Sequence, residues 1–344
     1  MLFNIEEDIG TRVTGYVVPD GFSAVPTIRV CSGGKELVTL EANETREALV
    51  HAKRHETGQC GFSVDARVVS NLSDFADLEL FDAETGILIY RRPKPGNIKK
   101  KLLRIETHIF PLWAIDNAIA SRFQYFAHGI ENFGRETVTQ LFLLTQVDSI
   151  YLSGKILYHN FASFIESEFQ TIVVLQDPYE ELAERLLVLS RIRHVRNALL
   201  DMRESVALEP VIAFAECLPF QDDKGLRRSL RRMPADVAAL LANPLVRQLT
   251  ASTPDEMPGG GAVATALDIL ASSVVVGRRH EADAFLSAFS ELLEVEAAEM
   301  PLTPRFAKVE PLARMLKESG EVDLILEKDV ELYHYIEKAA RKTP

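Results

Sequence analysis

Thr171-Ile172-Val173-Val174-Leu175-Gln176-Asp177-Pro178-Tyr179-Glu180-Glu181 joins two kinds of local order without a break. The first five residues are a β-branched and aliphatic run of the length expected for a buried strand. Asp177 suits a helix N-cap and Pro178 the first helical position, where its missing N–H costs nothing. From residue 179 the apolar spacing predicts a helix to residue 200. A buried strand that feeds a capped helix is half of a βαβ unit, and open α/β sheets hold ligands at the C-terminal ends of such strands. Tidy strand-to-helix turns also occur for purely structural reasons.

The alternation continues on both sides of this junction. Residues 103–109 and 149–152 are expected strands, and residues 114–127, 135–146 and 156–166 expected helices. Short β-branched runs between longer helix-forming segments predict parallel strands joined by helical crossovers. From 205 to 344 the spacing is helical almost throughout, with breaks at prolines such as Pro234, Pro254 and Pro301. Residues 1–92 differ in texture. Strand-like runs at 11–18, 27–31, 36–40, 60–65, 77–81 and 87–90 alternate with turn formers such as Pro19-Asp20-Gly21 and Ser32-Gly33-Gly34, the pattern of a small all-β sandwich. Residues 45–55 interrupt it with helix-forming composition. Arg91-Arg92-Pro93-Lys94-Pro95-Gly96 and Lys99-Lys100-Lys101 read as a basic, solvated connector. The expected organisation is a β-sandwich domain at 1–92, a linker at 93–101, and an α/β parallel-sheet domain at 102–344 with a largely helical C-terminal half.

Composition narrows the function classes. Of 344 residues, 47% are hydrophobic and 26% charged, enough apolar side chain for two folded domains and too much for a disordered chain. The 38 Lys+Arg against 50 Asp+Glu give a formal charge of −12, which disfavours nucleic acid, because duplex affinity comes largely from cations that neutralise phosphates. Glu6, Glu7 and Asp8 stand where a secretory signal would carry positive charge and then an apolar run. No apolar run approaches the ~20 residues of a spanning helix, so a cytoplasmic, not membrane-spanning chain is expected. Cys31, Cys60 and Cys217 lack the spacing of a zinc site or a disulfide framework, and no metal is expected.

The stretch from Val173 to Leu186 resembles the strand-turn-helix of the sulfotransferases, which carries a Leu-Arg-Asp-Pro motif followed by an Arg and a Ser on the helix. Asn243-Pro244-Leu245-Val246-Arg247-Gln248-Leu249 is similar to that family's asparagine-led segment. Residues 264–270 with Val274-Val275-Val276-Gly277 resemble its late helix and strand, and Asp329-Val330-Glu331-Leu332-Tyr333 resembles its closing Asp-x-x-Leu-Tyr. The order agrees across 103–340. The resemblance implies a sulfotransferase-like, P-loop-type core that moves sulfate from 3'-phosphoadenosine 5'-phosphosulfate to an acceptor, often a glycan hydroxyl. The preceding β region looks like modules found beside bacterial polysaccharide-modifying enzymes, so the implied partner is a glycan or polysaccharide, with a protein partner as a further possibility.

The chain departs from the family at both phosphate sites. Where the family has a Pro-Lys-Thr-Gly-type loop, this sequence has Pro111-Leu112-Trp113-Ala114-Ile115-Asp116. Gln176 replaces the motif arginine, and Glu181 and Glu184 stand at the later basic and serine positions. The cofactor-binding candidates are therefore Ser153 and Lys155 at the end of a strand, Gln176 and Asp177 at the junction, and Arg185. Arg185 reads either as a guanidinium for phosphate or as the i,i+4 ion-pair partner of Glu181. The catalytic candidates are His108, His159 and Glu131, groups suited to deprotonating an acceptor hydroxyl; Glu136 is an alternative to Glu131, and each has an ordinary structural reading. A basic face from Arg191, Arg193, His194 and Arg196, with Lys224, Arg227, Arg228, Arg231 and Arg232, suits an acidic polymer or simple solubility. With both phosphate sites altered, the resemblance leaves open an inactive binding or scaffolding protein on the same fold.

Overall fold

The computed structural model describes residues 1–21, 23–194, 199–200 and 202–341. The chain divides into two compact units, one of residues 1–102 and 119–152, the other of residues 103–118 and 153–344.

Among the described residues, the first 92 positions of this unit form eight short strands: β1 (Leu2–Asp8), β2 (Arg12–Val18), β3 (Thr27–Ser32), β4 (Lys35–Glu41), β5 (Glu44–Thr45), β6 (Gln59–Asp65), β7 (Leu78–Asp82) and β8 (Leu88–Arg91). They form two antiparallel sheets, β1-β2-β6-β5 and β4-β3-β7-β8. Period-two burial explains them: Val13, Gly15 and Val17 of β2 are buried with Thr14 and Tyr16 half-buried between them, and Leu78 and Leu80 of β7 are buried on either side of half-buried Glu79. Gly15 has a packing reason, since a Cβ there would lie 2.5 Å from the Asn4 carbonyl of β1 and 2.9 Å from the Phe62 ring of β6. Strand β1, with its acidic end, is not apparent from sequence pattern, and the expected helix at 45–55 shortens to Glu47–His51.

Two expectations between residues 91 and 128 are corrected. Residues 114–127 are not one helix: the helix Trp113–Ile119 ends, and β10 (Tyr125–His128) follows. Phe123, Tyr125 and Ala127 alternate into the core, so β-favouring aromatic packing outweighs the earlier helical run. Arg91 and Arg92 are not part of a solvated connector. Arg91 pairs with Glu79 at 2.7 Å and donates to the Ala120 and Phe123 carbonyls, while Arg92 pairs with Asp8 at 2.9 Å.

A five-stranded parallel sheet makes the architecture α/β. Its order is β10, β11 (Ile150–Gly154), β9 (Lys101–Ile105), β12 (Gln170–Leu175) and β13 (Val275–Arg278). Strand β12 pairs with β13 from Ile172 opposite Val275 to Leu175 opposite Arg278. Strand β11 is buried along its whole length and β12 from its second residue on, as expected for strands covered on both faces. In the second unit the helix Pro178–Leu189 follows β12 directly and shares a core with the helices Glu209–Glu216 and Val309–Ser319 through Leu182, Leu186, Val211 and Leu316. The helix expected over 179–200 stops at Leu189, and a short turn at Ile192–His194 follows. Beyond β13 the chain is helical, ending in Asp323–Ala340. Among the described residues no helix is long and apolar enough to cross a membrane.

Candidate functional site

The site lies at the C-terminal ends of β9 and β12, inside the second unit. Asp177 caps the helix Pro178–Leu189 as its sequence position suggests, its Oδ1 accepting from the Tyr179 and Glu180 amides at 2.9 and 3.3 Å. After β9 the chain turns through residues 106–112 instead of continuing as a strand to 109, and the Thr107 hydroxyl ties this loop to β12 by donating to the Val174 carbonyl at 2.7 Å.

The loop amides converge on the protein's own carboxylates. His108 N donates to Glu106 Oε1 at 3.0 Å and Leu112 N to Glu106 Oε2 at 2.7 Å. Ile109 N donates to Glu181 Oε1 at 3.1 Å. Arg104 bridges two acids, with Nη1 on Glu106 Oε2 at 2.8 Å and Nε and Nη2 on the two oxygens of Asp116 at 2.9 and 2.7 Å. All of Arg104, Glu106, His108 and Asp116 are buried. Desolvation alone would raise the Glu106 pKa, but the Arg104 charge, His108 and the Leu112 amide together hold it far below the usual carboxylate range.

His108 is oriented by Glu106, with Nδ1 donating to Oε1 at 2.9 Å, so Nε2 bears the lone pair in the neutral ring. That Nε2 is buried and has no hydrogen-bond partner among the described residues. Gln176 and Glu184, at the positions where the resembled family uses Arg and Ser, bond to each other at 3.3 Å. Burial, and next the neighbouring Glu181 charge, push the Glu184 carboxyl upward. Arg185 pairs with Glu181 at 3.1 Å, so the ion-pair reading of this residue is the observed one. Gln176 Oε1, Glu181 Oε2, Arg185 Nε and Arg279 Nη1 are buried and unpartnered as well. A cavity of about 20 Å³, bordered by Thr107, Gln176, Glu181 and Asp329, has room for about one water molecule.

Of the remaining candidates only Ser153 reaches this cluster. Ser153 turns its hydroxyl onto Asp116 Oδ2 at 2.7 Å, and Lys155 pairs with Glu204 at 3.3 Å. His159 is exposed on the turn Tyr158–Phe161 and makes no hydrogen bond to this cluster. Glu131 belongs to the first unit, in the turn Ile130–Asn132, and Glu136 is exposed in the first turn of Arg135–Phe142. Arg193 pairs with Glu216 at 2.9 Å and Arg231 with Glu321 at 3.1 Å; Arg196 lies outside the described residues. Among the described residues no cluster of three or more His, Cys, Asp or Glu side chains is placed to hold a metal ion.

Sequence reading missed Arg104, Glu106 and Arg279 as members of the site, and knew Asp329 only through its motif. Asp329 is buried and accepts from the Leu245 and Val246 amides at 3.0 and 2.8 Å. Asn243, in a left-handed conformation, returns the contact through its Oδ1 to the Lys328 and Asp329 amides. Asp329 thus caps the helix Pro244–Thr250, while Asn243 bonds amides inside the helix Asp323–Ala340, so two segments that stand apart in sequence hold each other. No known family model matches this chain, and no curated protein matches it significantly.

Proposed function

We propose that the chain is a non-catalytic binding or scaffolding protein on a sulfotransferase-like core, whose donor site is closed by its own carboxylates. The observation that supports this reading is the occupation of the His108, Ile109 and Leu112 amides by Glu106 and Glu181. Free amides in a turn are the groups that cradle a phosphate. Here an incoming phosphosulfate would have to displace two buried carboxylates. A bare carboxylate at roughly 5 Å would oppose it by about 3 kcal/mol at an effective dielectric near 20, an opposition that the ion pairs with Arg104 and Arg185 reduce. The ligand class assigned by this reading is a bacterial surface glycan or polysaccharide in the cytoplasm, held without transfer, with the N-terminal sheets as a β-sandwich accessory module.

A second reading keeps the activity. It draws on the Glu106–His108 pair, which holds a histidine with a free Nε2 as a general base requires. In that case His108 takes the proton of an acceptor hydroxyl as its oxygen attacks the donor sulfur and the 3',5'-bisphosphate leaves. Isothermal titration with adenosine 3',5'-bisphosphate separates the two. The non-catalytic reading expects no heat at millimolar ligand with folded protein, and micromolar binding overturns it in favour of transfer.

A further inference from the structure

Next to the carboxylate-filled loop, and sharing none of its polar atoms, the second unit leaves two hollows. One, of about 480 Å³, is lined by Phe110, Leu187, Val188 and Phe306. The other, of about 630 Å³, is walled by Phe220, Leu226, Leu312 and Met315. Both volumes fall in the range of small-molecule pockets. Leu187, Arg191, Ala307 and Lys308 line both hollows.

The walls and the shared residues differ in chemistry. Phe306 is 45% exposed and meets Phe110 edge-on, with ring centroids 5.5 Å apart. With Leu187 and Val188 the two rings line an apolar concavity open to water, the kind of surface that suits the apolar part of a ligand. Arg191 and Lys308 are exposed, and neither side chain makes an ion pair among the described residues. Acids enter only in the larger hollow, at Asp222 and Asp223, and the Asp222 side chain is engaged in capping the helix Asp223–Arg231.

We propose that these hollows bind an anionic amphiphile, with an aliphatic chain against Phe110, Leu187 and Phe306 and a carboxylate or phosphate head between Arg191 and Lys308. In the smaller hollow a saccharide would set hydroxyl groups against carbon walls that cannot bond them. An alkyl chain loses nothing there and gains about fourfold in affinity per methylene buried. The unpaired cations then select an anionic head over a neutral one.

The probe is 11-(dansylamino)undecanoic acid, whose emission rises and shifts to the blue on entering an apolar site. Full-length protein is expected to bind it at micromolar concentration. Myristate and tetradecyl phosphate should displace it, their relative potency telling a fatty acid from a lipid phosphate, whereas inorganic phosphate and neutral dodecyl maltoside should not. Arg191→Glu and Lys308→Glu, both at exposed positions, should each weaken binding about tenfold. Ala307→Trp, which fills space shared by the two hollows, should abolish it with the circular dichroism unchanged. No emission change below the micellar concentration overturns the proposal, as does equal displacement by the maltoside or unaltered binding by Ala307→Trp. A dimer that buries this face and excludes the probe overturns it equally.

Discussion

Glu106 accepts from four donors at once: the His108 amide, His108 Nδ1, the Leu112 amide and Arg104 Nη1. Both oxygens are fully used, and the carboxylate stays charged because every direction of approach carries a donor. Asp329, equally buried, receives two amides and no direct cation, and burial pushes its carboxyl up to about 6. The two acids therefore act oppositely on stability. Glu106, with a lowered pKa, contributes stability above about pH 4 that is lost as pH falls toward its folded pKa. Asp329 keeps its proton in the folded chain up to about pH 6, whereas the unfolded chain releases it near pH 4. Its contribution therefore rises as pH falls from about 7 to about 4, by about 3 kcal/mol at most. Urea unfolding of the wild type and of Asp329→Asn across that range should show the acid-side gain only in the wild type; parallel curves would contradict it. Arg104 and Glu106 leave one trace in the sequence, two charges at i and i+2 beside an apolar run, hence on one face of the chain if it stays extended. That the loop turns back to give Glu106 its amides is a tertiary fact with no local signature.

At the scale of elements, the β12-to-helix junction is legible because all its determinants are local: an apolar run, a capping aspartate and a proline at the first helical position. Asp177→Ala removes the carboxylate oxygen that accepts from two amides and should cost about 1 kcal/mol, read as a lower thermal midpoint. The helix that follows carries Glu181 toward Ile109 and Glu184 toward Gln176, side chains three residues apart on neighbouring parts of one face. Its end at Leu189 is not legible, since the residues after it continue an apolar spacing and no proline stops them. Strand β10 is hidden for a related reason. Ala114, Ala118 and Ala120 favour a helix, and only the burial of Phe123 and Tyr125 reveals that the chain has become extended. Linker composition misleads at Arg91 and Arg92 because basic residues beside prolines look solvated until Glu79 and Asp8 fold onto them.

For the whole molecule, the −12 charge is mostly spread over the surface, yet Glu106, Glu181 and Glu184 are buried, the first two of them paired with Arg104 and Arg185. The class of fold is readable from alternating strand and helix texture, and the antiparallel N-terminal strands from period two. The unit boundary is not, because it does not follow chain order. Residues 119–152 share a compact unit with 1–102 through the Tyr125 hydroxyl on the Leu88 carbonyl at 2.7 Å, Gln140 Nε2 on the Phe3 carbonyl at 3.0 Å, and Arg91 on the Ala120 and Phe123 carbonyls. A fragment of residues 102–344, cut at the basic segment, strips 119–152 of these partners. It should aggregate or bind a hydrophobic dye, whereas a fragment that folds as stably as the full chain would show the segment to be independent.

The same threading bears on how the chain is made. Proteins fold from the N-terminus as they leave the ribosome, and here all eight antiparallel strands are synthesised within the first 91 residues. Their unit is nevertheless unfinished until residue 152 has been added, because Phe123, Tyr125 and the helix Arg135–Phe142 belong to it. In the interval the nascent sheets wait with apolar surface uncovered while residues 103–118, which belong to the other unit, pass by. Biosynthesis thus has a built-in vulnerable window about sixty residues long, set by chain order and independent of the stability of the finished protein.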